Sequence, residues 1–172
     1  MIPGTVYWFT GIAGAGKTTL ARLFYKNLKR TNPFVIFLDG DTLREIFGND
    51  LGYTRLDRKK NAMRIARLCE FLSESGMNVV CATISLFHEC QDWNRKHMRF
   101  YKEIYIQAPM AALKKRDPKK IYSRASKGIL KDVWGMDLLP EVPKNPEVVI
   151  HNDGRHSWAQ MARRVQKSLA AK

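Results

Sequence analysis

The chain has 172 residues, 45% of them hydrophobic, enough to bury one real core and too few for a second full domain. Thirty Lys and Arg against sixteen Asp and Glu give a formal charge of +14, which points to nucleic acid, an anionic surface or multiply charged small molecules. No apolar run is long enough to cross a bilayer, and the N-terminus lacks the regions of a signal peptide. Cys69, Cys81 and Cys90, without C-x-x-C spacing, suit a reducing cytoplasm.

The first predicted element is a strand over Thr5 to Thr10. It runs directly into Gly11-Ile-Ala-Gly-Ala-Gly-Lys-Thr18, a G-x-x-x-x-G-K-T loop. In such a loop backbone N–H groups wrap the β- and γ-phosphates of a nucleoside triphosphate, and Lys17 adds a point charge. Thr18 offers its hydroxyl to Mg²⁺ at a helix N-terminus. Gly11, Gly14 and Gly16 with Ala13 and Ala15 keep the loop thin. A helix follows from Thr19, with Leu20, Leu23, Phe24 and Leu28 on one face.

Phe34 to Leu38 is a buried strand that ends in Asp39-Gly40-Asp41. A long helix is predicted from Arg55 to Ser75, opened by a capping box at Thr54 and Asp57 and ended by Gly76. Asn78 to Ile84 is a third strand, Cys90 to Phe100 a helix, Glu103 to Ile106 a fourth strand and Val148 to Ile150 a fifth. The last helix carries Trp158, Met161, Val165 and Leu169 as a core stripe. Alternation of this kind implies a parallel sheet covered on both faces, with ligands beyond the strands' carboxyl ends.

Three regions near those ends carry polar chemistry. Of Asp39 and Asp41, one can hold Mg²⁺ through water and the other can take a proton from an attacking hydroxyl; an Asp-Gly turn capping a helix is the plainer alternative. Ser85 can bond a phosphate or cap the next helix. Arg58 and Asn61 share a helix face and could grip an anion. The stretch from Lys114 to Lys131 is dense in cations, among which a planar Arg116 could lie on a purine. His88, Cys81 and Cys90 lack the paired spacing of a metal site.

These motifs together resemble the adenylylsulfate (APS) kinases, P-loop kinases that phosphorylate a ribose 3′-hydroxyl. The resemblance runs from Trp8 to about Asp153 through the phosphate loop, Leu38-Asp-Gly-Asp-Thr-Leu-Arg44, Asp50-Leu-Gly-Tyr53, Asp57-Arg-x-x-Asn61, Ile84-Ser-x-Phe87, Arg116-Asp-Pro-Lys119 with Tyr122, Leu130-Lys131, Gly135-x-Asp137 and Asn145-Pro-Glu147. It implies a three-layer α/β sandwich, one kinase domain over residues 1–172 with about five parallel strands, and a mobile lid at about 116–137. ATP and Mg²⁺ are the implied cofactors, with Gly11, Ala13, Gly14, Ala15, Gly16, Lys17, Thr18, Thr19 and Arg116 around ATP and with Thr18 and Asp39 toward the metal. Asp41 is implied as the base and Ser85 as the family's active-site serine. Arg44, Tyr53, Arg58, Asn61, Ser85, Leu86, Phe87, Lys131, Val133 and Trp134 surround the acceptor nucleotide.

Family members usually clamp the acceptor adenine between two phenylalanines. Here the first position is Tyr53 and the second is Val133, followed by Trp134, and the usual Ser-Pro is Ser85-Leu86. One stack is worth about 1–3 kcal/mol per base, so the change can alter base preference. APS is the default acceptor, and cytidine 5′-diphosphoramidate, the substrate of relatives in surface-polysaccharide pathways, is its rival. A polynucleotide kinase and a non-catalytic nucleotide-binding regulator are further alternatives. No aromatic-interleaved basic groove supports nucleic acid, no membrane partner is expected, and the chain allows a homodimer.

Overall fold

The apolar runs form strands β1 (Val6–Thr10), β2 (Val35–Asp39), β3 (Asn78–Ala82), β4 (Tyr101–Gln107) and β5 (Val148–His151) in the computed structural model, which describes residues 2–170. All neighbours pair in parallel, in the order β2-β3-β1-β4-β5. Every strand therefore ends at the same pole.

Successive side chains of a strand point to opposite faces, so strands that are apolar throughout feed two cores. On one face Phe9, Val80 and Ile104 pack with Leu20 and Phe24 of α1 (Lys17–Lys29) and with Met161 and Val165 of α7 (Trp158–Ala170). On the other, Trp8, Val79 and Cys81 meet Ala62, Ile65 and Cys69 of α3 (Arg55–Glu74) and Cys90 of α4 (His88–His97). Each large apolar side chain so buried contributes about 1.5–3 kcal/mol, well above the roughly 0–1 kcal/mol of an exposed ion pair. Helices on both faces of a five-stranded parallel sheet make the covered sheet that the alternation predicts and the three-layer sandwich that the resemblance implies.

The caps agree with the sequence. The Thr54 hydroxyl accepts from the Asp57 amide at 3.2 Å and donates to its carboxylate at 2.7 Å, while Gly76 (φ 84°) ends the turn after α3. Helix α4 starts and ends two to three residues before its predicted bounds, because Phe87 and Met98 are both extended. Three short helices were not predicted: α2 (Gly40–Ile46), α5 (Met110–Arg116) and α6 (Ile121–Ser126), the last two joined by a 3-10 turn at Pro118–Lys120. With six or seven residues each, they span too few turns for a helical period to show.

Helix α1 leaves β1 toward one face and α4 follows β3 on the other. The two connections part at the carboxyl pole and open a crevice there. Among the described residues no helix is long and apolar enough to cross a membrane.

Candidate active site

The phosphate loop is an arch held by its carbonyls. Lys17 Nζ donates to Ile12 O (3.0 Å), Tyr122 Oη to Ala13 O (2.7 Å), Arg116 Nη1 to Gly14 O (3.2 Å) and Asn152 Nδ2 to Ala15 O (2.8 Å). Four successive acceptors are thus occupied by side chains, which biases the loop to aim N–H groups at an anion. Gly16, the residue before α1, has φ 100°. A Cβ there would lie 2.5 Å from the Trp158 indole, and one on Gly11 would lie 2.4 Å from Ile106 O, so neither position takes a larger residue. Burial at the loop lowers the Lys17 pKa to about 8, against the raising effect of Asp41 and Asp39.

The two carboxylates after β2 are in different situations. Asp39 caps α2: Oδ1 accepts from the amides of Asp41 (3.0 Å) and Thr42 (3.4 Å), and Oδ2 accepts from the Thr18 hydroxyl at 2.9 Å. The helix-capping carboxylate is therefore Asp39, not the second Asp of the turn. Asp41 is exposed and its side chain meets Lys119 Nζ at 2.9 Å. Thr18 and Asp39 form a two-residue oxygen set beside the loop, and no cluster of three or more metal-ligating side chains occurs among the described residues. That set fits Mg²⁺, which takes one or two protein oxygens and completes its shell with phosphate and water.

Beyond the loop lies a cavity of about 480 Å³ lined by Lys17, Thr18, Asp39, Asp41, Arg44, Tyr53, Arg58, Asn61, Val133 and Trp134, with Thr83, Ile84, Lys119 and Arg124. Five of these side chains are cationic and two anionic, so the cavity calls for a multiply charged anion. Arg44 donates to Leu51 O (2.6 Å) and Gly52 O (3.0 Å); Arg58 donates to Tyr53 O (2.7 Å) and Asp132 O (2.8 Å). Burial, and then the neighbouring Arg44, lowers the Arg58 pKa. Both guanidiniums lie over the Tyr53 ring, at 4.6 and 5.2 Å, yet Tyr53 remains 59% exposed, leaving ring surface for a base. Val133 and Trp134 are buried, and Trp134 stands edge-on to Phe87, ring centres 5.3 Å apart. Asn61 Oδ1 and Trp134 Nε1 are buried without a hydrogen-bond partner.

Several expected residues lie elsewhere. Ser85 is fully buried and its hydroxyl donates to Cys90 Sγ at 3.2 Å, because the chain turns inward under α4; Thr83 and Ile84 reach the cavity in its place. Leu86 is core, with its carbonyl accepting from Glu141 N, and Phe87 backs Trp134. Lys131 is exposed outside the cavity, and the cations brought to it from the 114–131 stretch are Lys119 and Arg124. Arg116 lines a second cavity of about 290 Å³ with Gly14, Gly16, Lys17, Thr18, Thr19 and Trp158. Trp158, expected in the core, is 38% exposed at that cavity. Asn152, which bonds Ala15 O and Arg116, belongs to no sequence motif, and only its place after the fifth strand marks it.

Residues 3–151 match the family described as adenylylsulphate kinase. The chain belongs to that family. It is a nucleotide-binding kinase, a phosphotransferase of the APS kinase type. It is 39% identical to the cytidine diphosphoramidate kinase of Campylobacter jejuni over 165 residues, covering 96% of each chain. It is 37% identical to the adenylyl-sulfate kinase of Clostridium kluyveri over 148 residues, covering 86% of this chain and 74% of that one. The structure of the Mycobacterium tuberculosis APS kinase in complex with AMPPNP and APS superposes with a TM-score of 0.89 at 29% identity, over 99% of both chains.

Proposed function

We propose that this kinase moves the γ-phosphate of ATP to the ribose 3′-hydroxyl of cytidine 5′-diphosphoramidate, or of a nucleotide anhydride closely like it. The observation that carries the choice is the base clamp: Tyr53 is its open aromatic, and the side chain opposite in the family pattern is the small Val133. A single stack with room beside it suits a pyrimidine better than a purine, whose larger face gains more from a second ring. The end-to-end match to a kinase named for that substrate supports the same reading.

The chemistry follows from the side chains. Arg44 and Arg58 hold the acceptor's 5′ anions, which places its 3′-oxygen toward Asp41. The Lys119–Asp41 ion pair is exposed on both sides and so is worth at most about 1 kcal/mol, little enough for a substrate hydroxyl to displace it. Asp41 then takes the 3′-hydroxyl proton as the oxygen bonds to the γ-phosphorus. The bond from that phosphorus to the β–γ bridging oxygen breaks, and ADP leaves. Lys17 and the loop amides stabilise the charge on the transferred group, and Lys119 and Arg124, in a lid over residues 116–137, close over it. Thr18 and Asp39 would hold Mg²⁺, which supplies charge neutralisation on the β- and γ-phosphates.

APS is the second reading, favoured by the retained cationic floor of Arg44 and Arg58 and by the likeness to an APS-bound kinase. Initial rates with ATP and Mg²⁺ on APS and on cytidine diphosphoramidate decide between them. We expect the cytidine compound to give the higher kcat/KM. A higher value for APS overturns the cytidine assignment, and phosphate appearing at any position but the 3′-hydroxyl overturns the proposed reaction.

A further inference from the structure

The stripe Trp158, Met161, Val165 has the spacing of a core face, and its last two members are core. Its first member is not. Side chains of a helix lean toward its N-terminus, so the first inward residue of a helix overhangs the end of the structure beneath it. Helix α7 begins just after β5, at the pole where the phosphate loop lies, and the overhanging ring is brought to Gly16.

Its position is well determined. Ser157 and Gln160 form a reciprocal cap at the start of α7, with Ser157 N donating to Gln160 Oε1 at 2.8 Å and Gln160 N to Ser157 Oγ at 3.3 Å. Met161 and Val165, one and two turns on, anchor the same face in the core. The indole thus sits at a wall of the 290 Å³ cavity that also holds Arg116 and the start of α1. Arg116 is itself held by three hydrogen bonds, to Gly14 O and to both oxygens of Asn152, so its planar guanidinium has a set orientation. An exposed indole and an oriented guanidinium in one cavity beside a phosphate loop are what the flat, weakly hydrated faces of a nucleobase require.

We propose that Trp158 is a binding residue for the donor nucleotide, packing against the nucleoside end of the triphosphate whose phosphates occupy the loop. The inference rests on the reading of this loop as the donor site. Its rival is a purely supporting role, in which the indole only props Gly16.

Inorganic tripolyphosphate separates the two, since it carries the phosphates and no base. Affinities of the intact protein for ATP and for tripolyphosphate, both with Mg²⁺, are measured for wild type, Trp158→Leu and Trp158→Phe. The expected result is that Trp158→Leu weakens ATP at least tenfold, leaves tripolyphosphate within twofold, and that Trp158→Phe recovers most of the ATP affinity. Equal weakening of both ligands makes Trp158 a prop for the loop and overturns the proposal, as does an unchanged ATP affinity. If Trp158→Leu does not fold, fluorescence decides: ATP should change indole emission in wild type more than in Trp158→Phe, and an equal change in both overturns it. Wild-type protein that binds neither ligand overturns the donor-site reading instead.

Discussion

The donor and acceptor halves of the crevice are built on different principles. In the function we propose, the donor phosphates are held chiefly by backbone amides, and side chains from α1, α5, α6 and the end of β5 hold the loop's carbonyls. On the acceptor side the relation is inverted. Arg44 and Arg58 donate hydrogen bonds to the backbone of 51–53 and 132, and the surface we assign to the acceptor is side chain. A backbone-built site tolerates little change, because its geometry is shared by every residue in the arch. A side-chain-built site can be retuned one residue at a time. Val133 and Trp134 are the positions at which we propose such retuning.

The sharpest break between the halves is expected at Asp41, where they meet. Asp41→Asn keeps the shape and cannot take a proton, so kcat should fall about 10²–10⁴-fold with ATP affinity nearly unchanged. Asp39→Asn retains a capping oxygen for α2 and should instead raise the Mg²⁺ concentration needed for half-maximal rate. If the two variants exchange these phenotypes, the roles are reversed. Next in size is Lys17→Ala, expected to lower kcat about 10²–10³-fold in a protein whose thermal midpoint does not fall. A midpoint several degrees lower would mean that the Lys17 tether to Ile12 O is needed for the fold as well as for transfer.

Smaller changes sharpen the contrast. Tyr53→Ala should raise the acceptor KM about tenfold, the loss of one stack, and leave the ATP KM alone. Val133→Phe should shift preference toward APS. An unchanged ratio of kcat/KM for the two acceptors would show that this position does not select the base. The mildest effect is a pH dependence confined to the donor half. Lys17 must be protonated to meet phosphate, and its depressed pKa of about 8 belongs to the free enzyme. The kcat/KM for ATP should therefore be halved near pH 8 and fall about tenfold per unit above it. The same depression bears on stability with the opposite sense. Between about pH 8 and the unperturbed lysine value the unfolded chain holds a proton that the folded one has released, so this residue's contribution to stability rises with pH across that window.

The same contrast sets what is legible in the sequence. The five strands, the phosphate loop and the capped helix α3 were legible because each is local: a run of apolar residues, a glycine spacing, a Thr-x-x-Asp box. Asp39, Arg44, Tyr53, Arg58 and Asn61 were placed in the cavity for a related reason, since the motifs that carry them are short and contiguous. Within the cavity the differences are matters of direction. Ser85 has the right chemistry but points at Cys90, and Lys131 lies outside the cavity while Lys119, twelve positions earlier, reaches Asp41. Lys119 does so from a backbone with φ 56°, followed by Lys120 at 54° and preceded two residues earlier by Asp117 at 32°. Left-handed geometry at such residues is uncommon, and no spacing rule anticipates where it aims a side chain.

The four tethers on the phosphate arch have a consequence for how such an enzyme can diversify. Apart from Lys17, all come from chain beyond residue 115 and none from α2 or α3, the helices that carry Asp41, Arg44, Arg58 and Asn61. Inheritance can therefore act on the two halves almost separately. A lineage may exchange residues around its second substrate, and so enter a new metabolic setting, without disturbing the machinery that holds its energy source. Asp39, bonded at once to Thr18 and to the start of α2, ties the two halves together, so a change there is felt by both.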